Sequence, residues 1–331
     1  MEIKAADVMK LRQMTGAGMM DCKKALVEAN GDYARAQEII REKGKLVAAK
    51  RADRETSEGA VVAEVKGNKA ILVSLGCETD FVAKNAEFQA TAKAIADAAM
   101  EAFPADAEAL KACALADGQT VEAAITQQTG KTGEKHSLAY YGKLEAPYIS
   151  SYIHTINGKL GAIVAFSKEI PAEAGKGIAM QVASMNPVAV NKESVPQSVI
   201  DNEMTVAVEK TKEELVKKAV DAALNKAGIN PAHVDSEAHI ESNMAKGWLT
   251  QEQADKAREI IKTVSAEKAA NLPDAMINNI ANGRLNKFFK ENTLEEQEYQ
   301  MGDGKISVKD FLAGIDKDAK ILEFRRFSLN D

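Results

Sequence analysis

The chain is 331 residues long, 45% hydrophobic and 28% charged, with a formal net charge of −6; that is room for about two domains of ~150 residues and the balance of a folded protein, not a disordered one. No run approaches ~18 consecutive apolar residues, so no membrane-spanning helix is expected, and Met1 to Lys10 lack the apolar segment of a secretory leader. Three scattered cysteines (Cys22, Cys77, Cys113) without a CxxC pair argue against a disulfide framework, disfavour a cysteine zinc site and make a reducing cytoplasm the expected compartment.

Charge is uneven along the chain. Residues 1–54 hold 12 Lys+Arg against 8 Asp+Glu, and the rest is acidic, which suggests a basic head on an acidic body. The head is predicted as three short helices. Ala5–Met14 places Val8, Leu11 and Arg12 on one side, and Thr15-Gly16-Ala17-Gly18 breaks the helix. A second helix runs from Met19 to Ala29 and ends at Asn30-Gly31. Asp32 caps a third, Tyr33–Lys43, which Gly44 is expected to stop. Such a bundle of ~45 residues is marginal alone and usually serves as a docking module. The charged stretch Ala48–Gly59 reads as a linker.

A hairpin follows. Val61, Ala63 and Val65 alternate with polar neighbours, Gly67-Asn68 signals a two-residue turn, and Ala70–Leu75 is an apolar return strand. Phe88, Ala92, Ile95 and Ala99 then form one face of a helix. The same order reappears later: Tyr148–Ile153, an Asn157-Gly158 turn, the return strand Leu160–Phe166, and a helix with Ile178, Val182 and Met185 on one face. Two hairpin-then-helix units, near 58–102 and 147–190, indicate an internal duplication and an α+β body.

From Val199 to Ala270 the pattern is helical only. Met204, Val208, Thr211 and Leu215 are spaced like Val216, Val220, Ala223 and Ala227, until Gly228 and Pro231 interrupt. Thr250 with Gln253 resembles a capping box, and Ala254, Ala257, Ile261 and Val264 give a narrow seam. An antiparallel helical hairpin is expected. Pro273 starts a returning helix with Ile277, Ile280 and Leu285, and Leu322–Phe327 reads as a strand that rejoins a sheet.

A search for reaction chemistry is largely negative. The four histidines (His136, His154, His233, His239) lack metal-ligand spacing and read as surface or hydrogen-bonded residues. Gly130-Lys131-Thr132 ends like a phosphate loop, but Ile125 occupies the position that needs the first glycine, so a mobile polar loop is expected instead. Gly302-Asp303-Gly304 reads as a turn. No coherent set of nucleophile, base and oxyanion stabiliser is present.

Two segments stand apart. Gly16-Ala17-Gly18-Met19-Met20-Asp21-Cys22-Lys23-Lys24 sets paired methionines at a helix start beside charges. They either form an adaptable contact surface or partly fill a small core; adjacent helical residues point about 100° apart, so both are not expected to be buried. Thr79-Asp80-Phe81-Val82-Ala83-Lys84 lies between a strand and a helix. Either Thr79 or Asp80 caps the helix while Phe81 staples it to the body, or Phe81 projects as an aromatic anchor for a partner.

These two segments, in this order and about sixty residues apart, resemble the elongation factor Ts family of bacterial and organellar translation. The likeness continues through Tyr152–Val195, Gly283–Phe289 and Phe324-Arg325-Arg326-Phe327. It implies a ubiquitin-associated-like (UBA-like) three-helix head at 1–54, and two related antiparallel-sheet-plus-helix subdomains at 55–145 and at 146–198 with 282–331. A coiled-coil-like helical insertion takes 199–281. It implies guanine-nucleotide exchange on elongation factor Tu, bound in its GDP and nucleotide-free forms, and not an enzyme. No cofactor, no metal, no direct nucleic-acid contact and no membrane are expected. By the resemblance, Thr79, Asp80, Phe81 and Val82 form the turn that dislodges the partner's Mg²⁺, with Phe81 as a wedge. Arg12, Met19, Met20 and Lys23 match positions where the head grips the partner, and His154 matches a core contact. Two departures are expected: a long insertion with an added segment around His233–Trp248, and no further helical module after Asp331. The other function classes are a ribosome-associated interaction protein, disfavoured by the insertion's mixed charge, and an enzyme, disfavoured by the missing catalytic set.

Overall fold

The first helices are α1 (Ala5–Thr15), α2 (Met19–Glu28) and α3 (Tyr33–Lys50), in a computed structural model that describes residues 3–155, 158–302 and 304–331. Strands β1 (Glu58–Lys66) and β2 (Lys69–Cys77) lead into α4 (Asp80–Ala83), α5 (Ala86–Ala102), α6 (Ala107–Lys111), α7 (Val121–Thr132) and β3 (Ser137–Glu145). Then come β4 (Tyr148–Ile153), β5 (Leu160–Phe166), α8 (Ala172–Met185), α9 (Gln197–Lys226), α10 (Glu237–Ala245), α11 (Gln251–Ala270), α12 (Asp274–Asn292), α13 (Val308–Ile315) and β6 (Ile321–Ser328). The chain divides into two units, Met1–Val190 with Gln297–Asp331, and Asn191–Glu296. The fold class is α+β, as the sequence reading has it.

In the first unit both sheets are antiparallel, with orders β1-β2-β3 and β4-β5-β6. Each central strand is a continuous apolar run because both of its faces are covered. On β2, Ile71, Val73 and Leu75 face α5 and pack with Phe88, Ala92, Ile95 and Ala99, the helical stripe that the spacing predicts. The alternate residues Ala70 and Leu72 pack instead with Val61, Ile149, Ile163 and Ala165, so the two sheets share an apolar layer. The strand period of two divides one sequence between two cores. The third strand of each sheet arrives only after a helical excursion: α4 to α7 precede β3, and α8 to α13 precede β6. The predicted turn at Asn157-Gly158 and the turn at Gly302-Asp303-Gly304 include Asn157 and Asp303, which lie outside the described residues.

Three expectations are corrected. Helix α3 does not stop at Gly44; it continues to Lys50. The segment between α3 and β1 is correspondingly shorter than the Ala48–Gly59 linker. Gly130-Lys131-Thr132 is not a loop but the last turn of α7. One close approach explains both. Gly44 of α3 crosses α7 at Gly130, so near that a Cβ on Gly130 would sit 2.9 Å from the Cα of Gly44. These glycines serve helix crossing, not helix termination. In α8, Ile178 and Val182 are buried as expected, whereas Met185 is exposed, because it is the final helical residue before the left-handed Asn186 cap.

The head follows from its caps. Gly16 takes φ +67°, and its N–H donates to Arg12 O at 2.7 Å, ending α1. The Asp32 carboxylate accepts from the amides of Ala34 and Arg35, starting α3. Val8, Leu11, Cys22, Ala25, Leu26 and Ala36 fill the small core.

In the second unit, α9 packs with α11 and α12. Thr250 and Gln253 form a reciprocal capping box, with bonds of 3.2 and 3.0 Å. Ala254 and Ala257 of the predicted seam are fully buried against Val220 and Leu224. The segment around His233–Trp248 contributes apolar residues to this cluster: Val234, Ile240 and Leu249 join it, and Asn243 Nδ2 donates to His233 O at 2.9 Å.

Candidate partner-binding site

The turn after β2 sorts its four singled-out residues by direction. Thr79 is the cap of α4, and its Oγ1 accepts from the Val82 amide at 3.5 Å. Val82 packs on the core shared with α5, and Ala83 is buried beside it. Phe81 between them is 83% exposed. A phenyl ring contributes roughly 1.5–3 kcal/mol when buried; here that surface remains in water. Phe81 does not staple the turn to the body.

Charge surrounds the ring. Lys84 Nζ donates to Asp80 Oδ2 at 2.7 Å, one helical turn on. That hydrogen bond, with the nearby positive charge, holds the Asp80 carboxyl below its ordinary range, so it is ionised at neutral pH. Beneath the turn, Cys77 is buried, its thiol donating to Thr79 O at 3.3 Å. Burial pushes that thiol up to about 12, which keeps it neutral.

The turn rests on residues that the sequence reading did not single out. Glu134, just past α7, accepts from the Thr79 amide at 3.1 Å and from the Thr79 hydroxyl at 2.7 Å. Glu78 accepts from the Lys135 amide at 2.6 Å and from Arg51 Nη1 at 2.8 and 2.9 Å. The Lys135 amide, then burial working the other way, then Arg51 set the Glu78 carboxyl; the net direction is down. The only sequence signal was Glu78 adjoining the Thr79 motif, because Glu134 and Lys135 lie more than fifty residues away.

The head residues lie on its first two helices. Met19 and Met20 open α2 and are 38% and 64% exposed. Lys23, one turn on, is exposed, as is Arg12 in the last turn of α1. Asp21 pairs with Lys43 of α3, which fixes the start of α2 against the bundle. His154 follows β4 and is half-buried; its Nδ1 is buried without a hydrogen-bond partner, and its ring meets Tyr152 edge-on at 6.4 Å. The structure thus forms three separate groups: the turn at 79–82, the head surface, and His154.

Of the two expected settings for a histidine, His136 takes the hydrogen-bonded one, its Nδ1 donating to Glu134 O at 3.0 Å. It is buried against Phe88, its Nε2 has no hydrogen-bond partner, and burial lowers its pKa. Among the described residues no group of three or more His, Cys, Asp or Glu is placed to hold a metal ion. No helix among them is long and apolar enough to cross a membrane.

Comparison with known proteins adds a consistent result. The family model described as Elongation factor TS matches residues 78–331. The chain is 55% identical over 329 residues to elongation factor Ts of Phocaeicola vulgatus, covering 99% of each chain. It is 54% identical over 329 residues to elongation factor Ts of Parabacteroides distasonis, again with 99% of each covered. Against elongation factor Ts of Porphyromonas gingivalis it is 39% identical over 330 residues, 100% of this chain and 99% of the relative.

Proposed function

The chain belongs to the elongation factor Ts family, and from that premise we propose that it is a guanine-nucleotide exchange factor that binds elongation factor Tu carrying GDP, expels the GDP and admits GTP. The observation that carries this reading is Phe81: a large apolar ring, 83% exposed, on a turn whose flanking residues are capped or buried. Exposed single apolar residues are common. A ring on an anchored turn, one residue from an ionised carboxylate, is suited to enter another protein.

Exchange makes and breaks no covalent bond. The factor binds nucleotide-free partner more tightly than GDP-bound partner, and by linkage GDP and the factor weaken each other equally. Each tenfold weakening corresponds to about 1.4 kcal/mol. Burying the Phe81 ring only in the nucleotide-free complex supplies roughly 1.5–3 kcal/mol of that difference, enough for about one to two such factors. A GTPase holds GDP through Mg²⁺ and phosphate-binding groups. In this reading Phe81 enters between elements of the partner's nucleotide domain, and Asp80 repels or redirects the groups that position Mg²⁺. Thr79 and Val82 hold the wedge from behind. Arg12, Met19, Met20 and Lys23 form the adjoining grip, where methionine adapts to an uneven surface, and His154 provides a core contact.

The test is release of labelled GDP from elongation factor Tu with and without the protein. The expected result is faster release that depends on Phe81. Equal release with and without the protein rejects the reading.

A further inference from the structure

Helix α7 supports two surfaces at once. On its side it seats the head: Gly130 meets Gly44 of α3, and Gln127 Nε2 donates to Thr15 O at 3.2 Å, at the end of α1. At its C-terminal end the chain turns at Gly133 and presents Glu134 and Lys135. Glu134 takes both the amide and the hydroxyl of Thr79. That hydroxyl oxygen still accepts from Val82, so one carboxylate orients the cap that aims the next residues. Lys135 works in two directions. Its amide holds Glu78, and its ammonium donates to Ala52 O and Arg54 O at 2.6 and 2.8 Å, just past the end of α3. Arg51, the cap of α3, closes the circuit on Glu78. The contacts of Glu78, Glu134 and Lys135 with Arg51, Thr79, Ala52 and Arg54 and with each other join residues 27 to 83 positions apart in sequence, and none is part of a helix or sheet ladder.

We propose that Glu134 is a positioning residue for exchange. With Lys135, Glu78 and Arg51 it ties the Phe81 turn to the end of the head, so that wedge and grip meet the partner at a fixed separation. The proposal rests on the exchange reading above. A wedge that must enter a neighbour works only if it does not swing away, and binding by the head does not by itself prevent that. Loss of the tie therefore slows nucleotide release more than it weakens association.

The experiment measures GDP release from elongation factor Tu at increasing concentrations of the full chain, giving a maximal rate and a half-saturating concentration. Glu134→Ala is expected to lower the maximal rate by about tenfold, the scale of lost hydrogen bonds to a charged group, with half-saturation changed less than about threefold. Glu134→Gln retains an acceptor for the Thr79 amide and is expected to recover most of the rate. In a Phe81→Ala background, Glu134→Ala is expected to have no further effect, because there is no wedge left to position. A merely stabilising residue would add its effect in both backgrounds. Arg51→Gln, on a half-exposed side chain, tests the same tie if Glu134→Ala does not fold; its rate loss must likewise disappear without Phe81. An unchanged maximal rate in Glu134→Ala, or equal losses with and without Phe81, overturns the positioning role while leaving exchange intact. No stimulation by the unsubstituted protein overturns the exchange reading itself, and the positioning role with it.

Discussion

Arg51 and Glu78 meet across 27 positions of sequence, one guanidinium nitrogen lying 2.8 and 2.9 Å from the two carboxylate oxygens. Arg51 ends the last helix of the head, and Glu78 stands three residues before the exposed ring of Phe81. The contact joins the two surfaces that the proposed function brings to the partner. Because the Glu78 carboxyl is held below its ordinary value of 4.5, the tie stays charged through the neutral range and is lost only in acid.

Replacing Phe81 by alanine should leave folding almost unchanged, within about 0.5 kcal/mol, because the ring has little packing to lose. The same change should slow stimulated GDP release strongly. Urea unfolding and labelled-nucleotide release on one preparation separate the two effects; a large stability loss would show the ring to be structural.

Met20→Asp should weaken complex formation with elongation factor Tu while the head stays folded, since the side chain is 64% exposed. A buried carboxylate facing apolar partner surface loses its hydration. Calorimetric titration reads the affinity and far-ultraviolet circular dichroism the fold. Undiminished affinity removes Met20 from the interface.

Gly130→Ala should destabilise the first unit by about 1–3 kcal/mol, the usual result of overpacking. In an open helix the same change would stabilise by up to ~1 kcal/mol. The sign differs because the new methyl would lie 2.9 Å from the backbone of Gly44. The head should also become easier to cleave near residues 51–57 in limited proteolysis. A stabilised variant would refute the close crossing.

Cys77 predicts an alkaline loss of stability. Its thiol stays protonated in the folded chain to about 12, against an ordinary value of 9.0. The unfolded chain therefore releases this proton first. The contribution is fully present below pH 9.0 and declines as pH rises toward 12. Urea titrations across that interval should show the decline, smaller in Cys77→Ala after correction for the variant's baseline. Native Cys77 should also resist alkylation at pH 8 under conditions where half-exposed Cys113 reacts.

The hairpins and their covering helices were legible because periods of two and of about four survive in the residue order: Phe88, Ala92, Ile95 and Ala99 all reach the core. Local rules failed where a distant element decided. Gly44 carries a helix-stopping residue type, yet α3 continues because α7 needs a side chain without Cβ at the crossing. Strand β3 went unread, since most of its residues are half-buried and no face is cleanly apolar. At the turn, the residues 79–82 stand out by type and spacing. Their supports do not, because an acceptor 55 positions away leaves no local trace.

The late arrival of β6 bears on biosynthesis. Its neighbour β5 ends at Phe166, whereas β6 begins at Ile321. While a ribosome makes the residues between, β5 is an apolar strand with one bare edge. A nascent chain paused inside the insertion offers that edge to chaperones, proteases or another nascent copy.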